Sequence, residues 1–311
     1  MYQERWGLRR LVINADDFGL TAGVNRAVAE AHSRGVITST TLMARSAAFS
    51  DAVQIASRYP QLGVGCHIVL VDGTPVLPPH LVPSLLQSGT AFRRTLTQLA
   101  LAVARNHISS AEVEAEAAAQ IAQVQSAGIR ISHIDAHKHA HVFPSILKPL
   151  LRAARAAGIY AVRNPFSPGR YLPWEKLLRH PELWKRFFAV QLFRGFAPDF
   201  RRIVERDGMI TTNGALGVVE TGALSLELLR IIIRNMPEGT WELVCHPGYN
   251  DAELATVRTR LRDSRAREFE ILTSPELTAL LAEQGVELIT YWDLQQQALS
   301  NGAPGATRTA V

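Results

Sequence analysis

Five apolar runs in this chain end on side chains that do chemistry. Leu11-Val-Ile-Asn-Ala runs into Asp16-Asp17, and Val64-Gly-Cys runs into His67. Ile131-Ser-His-Ile is followed by Asp135, His137, His139 and His141, Tyr160-Ala-Val by Arg163, and Trp241-Glu-Leu-Val-Cys by His246. Between the runs lie stretches with apolar residues at helical period, near Gly23–Ser33, Ala47–Arg58, Phe92–Arg105, Ser110–Ala127 and Ser145–Ala157. Further strands are expected at Ile37–Met43, Met209–Thr212 and Val286–Tyr291. Strands alternating with helices predict an α/β fold on a parallel sheet, and the number of alternations favours a closed (β/α) barrel over an open doubly wound sheet. In such barrels active sites form at the carboxyl ends of the strands. Every polar cluster named above falls there, a bias that scattered structural histidines have no reason to show.

The 311 residues are 47% hydrophobic and 20% charged, which fits one folded barrel domain over 1–299 with an insertion at about 166–206 and a flexible tail at 300–311. Net charge is +5. No nucleic-acid motif accompanies it, so the excess reads as ordinary surface charge or as a face that meets an anionic membrane leaflet. Cys66 and Cys245 are too few for a disulfide framework and each precedes a histidine of interest, which suggests buried thiols in a reducing compartment. No apolar run is long enough to span a bilayer or to serve as a signal peptide, so a cytoplasmic protein is expected, with peripheral contact at the inner membrane face as an option. Glu112, Glu114 and Glu116 open the helix at Ser110–Ala127, where carboxylates favour the positive end of its dipole.

Two adjacent carboxylates at a strand end repel each other unless a cation lies between them. A divalent metal resolves the conflict if one of Asp16 and Asp17 ligates it and the other stays free as a base. The plainer alternative is that the pair caps the turn before Gly19 and Thr21. In Asp135-Ala-His-Lys-His-Ala-His141, alternate residues of an extended segment share a face, so Asp135, His137, His139 and His141 are expected to line one pocket. Imidazole is the commonest metal ligand, and a carboxylate can orient its ring through the second N–H. The alternative is a solvated histidine-rich loop. Catalytic zinc sites keep about three protein ligands and an open position, so not every histidine here ligates. Arg163 suits a bidentate grip on a catalytic carboxylate, or else a surface ion pair.

These residues carry a resemblance. Asn14-Ala-Asp-Asp-Phe-Gly19, Gly65-Cys-His67, His133-Ile-Asp-Ala-His-Lys-His-Ala-His141 and Cys245-His-Pro-Gly248, with a softer match at Leu288–Leu294, together resemble the YdjC-like carbohydrate deacetylases over nearly the whole chain. The resemblance implies a distorted TIM-like barrel and one divalent metal held by Asp17, His67 and His137. It implies that Asp16 is the general base, His246 the general acid and Arg163 the residue that orients the base. Asp135, His139 and His141 then support the ligands or face the substrate. Two histidines and a carboxylate suit zinc first, with magnesium, cobalt and nickel as alternatives.

Within the family, Val69–Pro79 and Asp135–His139 look similar to the hopanoid-biosynthesis branch, whose implied substrate is N-acetylglucosaminyl-bacteriohopanetetrol. The insertion bears on this choice. It is rich in aromatic and basic residues, among them Trp174, Trp184, Phe187 and Phe188. Such a helix suits contact with a membrane or lipid, a lid over a greasy substrate, or simple packing on the barrel. The alternatives are a deacetylase of soluble chitooligosaccharides or other N-acetylated sugars, and a catalytically silent sugar- or lipid-binding barrel.

Overall fold

The strand that carries Asp16 and Asp17 is the spine of the molecule. In the computed structural model, which describes residues 8–169 and 181–300, β1 (Arg9–Phe18) is buried at every position except Arg10. That continuous burial is what a strand covered on both faces of a parallel sheet requires. β2 (Ser39–Leu42) pairs with one edge of β1, and β3 (Gly63–Ile68) follows β2. The antiparallel hairpin β4 (Leu86–Ser88) and β5 (Ala91–Phe92) stands apart from this sheet. β6 (Ile134–Ala136) lies beyond β3, and β7 (Gly214–Leu216) and β8 (Gly239–Cys245) continue the sheet on the other side of β1. β9 (Val286–Leu288) pairs with the first residues of β1. All pairings in the main sheet are parallel.

Single bridges, Ile134 to Val162 and Ala161 to Ile210, carry the curl onward from β6. The runs expected as strands at Tyr160–Arg163 and Met209–Thr212 are therefore present as bridges without ladders. The result is a curled parallel sheet, distorted relative to a regular barrel.

Helices cover the outside. They are α1 (Ala22–Ser33), α2 (Phe49–Arg58), α3 (Leu96–Ala104), α4 (Ser110–Ser126), α5 (Pro144–Ala156), α6 (Pro181–Phe193), α7 (Ala197–Arg206), α8 (Leu226–Arg234), α9 (Ala252–Thr256), α10 (Asp263–Leu272), α11 (Pro275–Glu283) and α12 (Tyr291–Ser300). Hydroxyl caps start several of them: Thr21, Ser109, Ser225 and Ser274 each accept a backbone N–H from the first turn.

Two expectations change. The segment after β6 is not extended: His137–Val142 closes into a tight 3-10 turn, with Lys138 (φ 54°) and His139 (φ 57°) in the left-handed region. Alternate residues therefore do not share a face beyond His137. The pairing that would keep the segment straight ends at Ala136, opposite Ile68, and Lys138 turns aside to donate to Asp72 at 2.7 Å. Glu116 is likewise no dipole residue. It is buried, and it accepts the N–H groups of Val76 and Leu77 at 2.8 and 3.1 Å, so it anchors the proline-rich loop.

The described part of the insertion is α6 and α7, joined by a turn at Arg194–Phe196; Trp174 lies outside the described residues. Leu183, Phe187 and Val190 of α6 pack with Val219 and Leu228. Phe193 and Phe196 meet Phe143 edge-on at 5.6 and 5.8 Å. The opposite side of α6 faces outward: Phe188 is 67% and Leu192 77% exposed, and Trp184 is partly exposed as well. Among the described residues no helix is long and apolar enough to cross a membrane.

Candidate active site

The two carboxylates reach the same rim because β1 is irregular where they sit. Ala15 pairs with Thr40 and Phe18 with Leu42, so β1 uses three residues where β2 uses two. The extra residue makes a bulge, and Asp17 takes a left-handed conformation, φ 66°. A regular strand would have pointed Asp16 and Asp17 to opposite faces.

Asp16 is gripped by Arg163, whose NH1 donates to Oδ2 at 2.8 Å and NH2 to Oδ1 at 2.6 Å. Asn14 donates to Oδ1 at 3.0 Å. Burial on its own would push this carboxyl up, but the Arg163 guanidinium outweighs it and holds Asp16 well below the usual carboxylate range. Arg163 is fully buried and also contacts Asp135 Oδ2 at 2.5 Å and Glu242 Oε1 at 2.7 Å. Glu242 takes a further hydrogen bond from the Tyr291 hydroxyl at 2.5 Å.

Asp17 divides its two oxygens. Oδ2 accepts from Arg265 NH2 at 2.5 Å. Oδ1 is buried without a hydrogen-bond partner, 3.4 Å from His137 Nδ1 and 3.6 Å from His67 Nε2. The two ring nitrogens lie 3.1 Å apart. His67 Nδ1 donates to Asp135 Oδ1 at 2.8 Å, which fixes the tautomer and leaves the Nε2 lone pair toward His137 and Asp17. Burial alone would lower the His67 pKa, but Asp135, with Asp16 and Asp17 behind it, raises it to about 9.

A metal fits here on two counts. Bonds of about 2.0–2.2 Å to a tetrahedral ion set ligand atoms roughly 3.3–3.6 Å apart, close to the observed triangle. The charges agree as well. With both imidazoles neutral, as ligation requires, Arg163 and Arg265 face four buried carboxylates, Asp16, Asp17, Asp135 and Glu242, so negative charge is in excess by two.

His246 stands across from Asp16, its Nε2 3.8 Å from Oδ2, and its backbone N–H donates to Glu268 Oε2 at 2.6 Å. Its Nδ1 is buried without a partner. Asp16, Asp17, His137, His139 and His246 line one cleft of about 700 Å³, whose lining mixes apolar side chains such as Phe166, Val190, Phe193 and Leu261 with basic ones such as Arg94, Lys138, Arg186 and Arg258. The α6 helix thus forms one side of the cleft.

The remaining histidines of the run separate. His139 faces the cleft; burial, with Arg163 adding to it, pushes its imidazole down to about 3. His141 leaves the cleft altogether. It is buried, and its Nε2 donates to the Arg163 carbonyl at 3.2 Å, so it steadies the backbone that carries the guanidinium. His133 stacks on Tyr291 at 3.7 Å. A Cβ on Gly65 would lie 2.5 Å from the His133 ring, which is why the stretch before His67 carries a glycine.

Sequence reasoning missed Thr41, Glu242, Arg265 and Glu268. The Thr41 hydroxyl lies 3.2 Å from His67 Nδ1 and 3.4 Å from Asp16 Oδ1. A signal for Glu242 was visible: a carboxylate inside the apolar strand Trp241-Glu-Leu-Val-Cys245 needs a buried partner. Arg265 and Glu268 lie in a helix crowded with exposed charges and look solvated from sequence.

Comparison with known proteins follows the same lines. The model of the YdjC-like protein family matches residues 10–283. The carbohydrate deacetylase of Brevibacillus brevis is 34% identical over 286 residues, 92% of this chain and 99% of that protein. The carbohydrate deacetylase of Geobacillus stearothermophilus is 34% identical over 283 residues, 91% of this chain and 97% of that protein. Among solved structures, a protein of Enterococcus faecalis V583 described as a candidate cellobiose-phosphate cleavage protein aligns with a TM-score of 0.70 at 29% identity, over 92% of this chain and 99% of that one. The motifs, the curled sheet and matches that run almost end to end agree: the chain belongs to the YdjC-like protein family.

Proposed function

We propose that this chain is a metal-dependent carbohydrate N-deacetylase acting on an N-acetylglucosaminyl glycolipid. The observation that carries the reading is the triangle of Asp17 Oδ1, His67 Nε2 and His137 Nδ1, with separations of 3.1–3.6 Å, flanked by a carboxylate and an imidazole outside it. The deacetylases to which the chain is similar support the reaction type.

Asp17, His67 and His137 would hold a divalent cation, zinc first, which would polarise the acetyl carbonyl and acidify a bound water toward a pKa of about 7. Asp16 accepts the proton of the attacking water. Arg163 keeps Asp16 ionised and aimed, since both guanidinium arms hold it. His246 protonates the leaving nitrogen. The C–N bond breaks, and acetate and a free amino sugar result. Asp135 orients His67. The cleft also carries apolar side chains, among them Phe166, Val190, Phe193 and Leu261, on which a lipid aglycone can pack, although basic residues such as Arg94 and Arg258 share its lining.

The test is direct. Zinc-loaded protein is incubated with N-acetylglucosaminyl-bacteriohopanetetrol and, separately, with chitobiose, and each is followed by mass spectrometry. Loss of one acetyl group from the glycolipid is expected. Acetate from chitobiose alone would replace the substrate. No acetate from any N-acetylated sugar, with metal bound, would leave a silent binding protein.

A further inference from the structure

We propose that Arg265, a residue outside all the motifs above, is a two-armed working residue of this site. One arm fixes Asp17 as a one-oxygen ligand, and the other is left for the substrate's acetyl oxygen. The inference rests on the metal reading given above.

Arg265 is 1% exposed and projects from α10 into the wall of the catalytic cleft. Its Nε donates to the Leu261 carbonyl at 3.3 Å, which fixes the plane of the guanidinium. NH2 takes Asp17 Oδ2 at 2.5 Å. A free carboxylate can chelate an ion with both oxygens. With Oδ2 engaged, only Oδ1 faces His67 and His137, and Oδ1 is the oxygen without a hydrogen-bond partner. The third nitrogen, NH1, is buried and has no partner either. An N–H on a charged group left bare in the interior is costly unless a ligand completes it. The group that develops negative charge in amide hydrolysis is the carbonyl oxygen, and a preorganised cationic donor beside it stabilises that charge.

The backbone of α10 supports the assignment. Gly248 N–H donates to the Arg265 carbonyl at 3.2 Å, and a Cβ on Gly248 would come within 3.0 Å of Arg265 Cδ. One turn further, Glu268 accepts the His246 N–H at 2.6 Å. α10 therefore sets Asp17 and His246 relative to each other. Lysine at 265 has a single charged head: it can pair with Asp17 but cannot offer a second fixed donor.

Two variants separate the arms, with melting curves as the fold control. In Arg265→Met, titration calorimetry with zinc should show affinity about 10–100-fold weaker than wild type, the size seen when an outer partner of a ligand is removed. In Arg265→Lys, zinc affinity should stay within about threefold while kcat falls on the order of 100-fold, with KM little changed. Wild-type zinc affinity in Arg265→Met overturns the first role, and wild-type kcat in Arg265→Lys overturns the second. If Arg265→Met does not fold, the zinc titration and kcat of Arg265→Lys carry the test, and loss of zinc there overturns the division of labour. Failure of the wild-type protein itself to bind zinc, cobalt, nickel or magnesium would instead overturn the metal reading beneath.

Discussion

Asp17 combines two demands that rarely meet in one residue: a left-handed backbone inside a buried strand and a carboxylate aimed at two imidazoles. Aspartate and asparagine tolerate that conformation better than other side chains. Asp17→Asn should therefore fold close to wild type and lose most metal affinity, as read by titration. Asp17→Val should in addition lose roughly 1–3 kcal/mol of stability to backbone strain, seen as a lower melting temperature. Asp16→Asn separates the neighbouring role: it should keep bound metal and lose most turnover, and full activity would remove Asp16 as the base. The pH profile adds a sign. Arg163 holds Asp16 ionised far below neutrality, so Asp16 sets no acid limb in the wild type. In Arg163→Lys the bidentate grip is lost while burial remains, so the Asp16 pKa rises and kcat/KM should fall as pH drops through a range where the wild type is flat. The candidate residues of this centre were legible in the sequence because each follows an apolar run at a strand end. Their partners were not: Thr41, Arg265 and Glu268 are ordinary residues whose meaning depends on which strand or helix lies beside them.

At the level of elements, periodicity located α1 to α5 to within a few residues, since an amphipathic stripe and a hydroxyl cap are local signals. It failed where tertiary contacts decide. The run after β6 keeps a strand-like pattern, yet folds into a turn at Lys138 and His139. Glu116 in α4 looks like a helix-start acid and instead holds the loop at Val76 and Leu77. Glu116→Gln keeps the shape, weakens two hydrogen bonds to a charged acceptor, and should cost about 1–3 kcal/mol, visible as a lower melting temperature. α6 has two faces with different expected effects. Its inner side walls the cleft, whereas Phe188 and Leu192 face outward. If that outer face meets lipid, Phe188→Ser with Leu192→Ser should reduce turnover of vesicle-embedded glycolipid several-fold and leave a soluble N-acetylated sugar unaffected. Equal effects on both substrates would make the face ordinary surface.

Across the whole molecule, charge and burial are arranged around one centre. Both cysteines lie inside this region, and burial pushes both thiols well above the usual thiol range. Cys66 and Cys245 should therefore stay unreactive toward a thiol reagent at mildly alkaline pH in the folded protein, and both should react on unfolding. Rapid labelling of the native state would contradict that burial. The curl of the sheet has a further consequence. β1 is laddered along much of its length, whereas among the described residues the sector opposite is stitched by the single bridges at Val162 and Ile210. Amide hydrogens on that seam should exchange with deuterium sooner than those of β1, because fewer neighbouring bonds must open together to release them. Arg163 follows the seam directly. Breathing of the sheet would thus reach the Asp16 carboxylate first through its guanidinium partner.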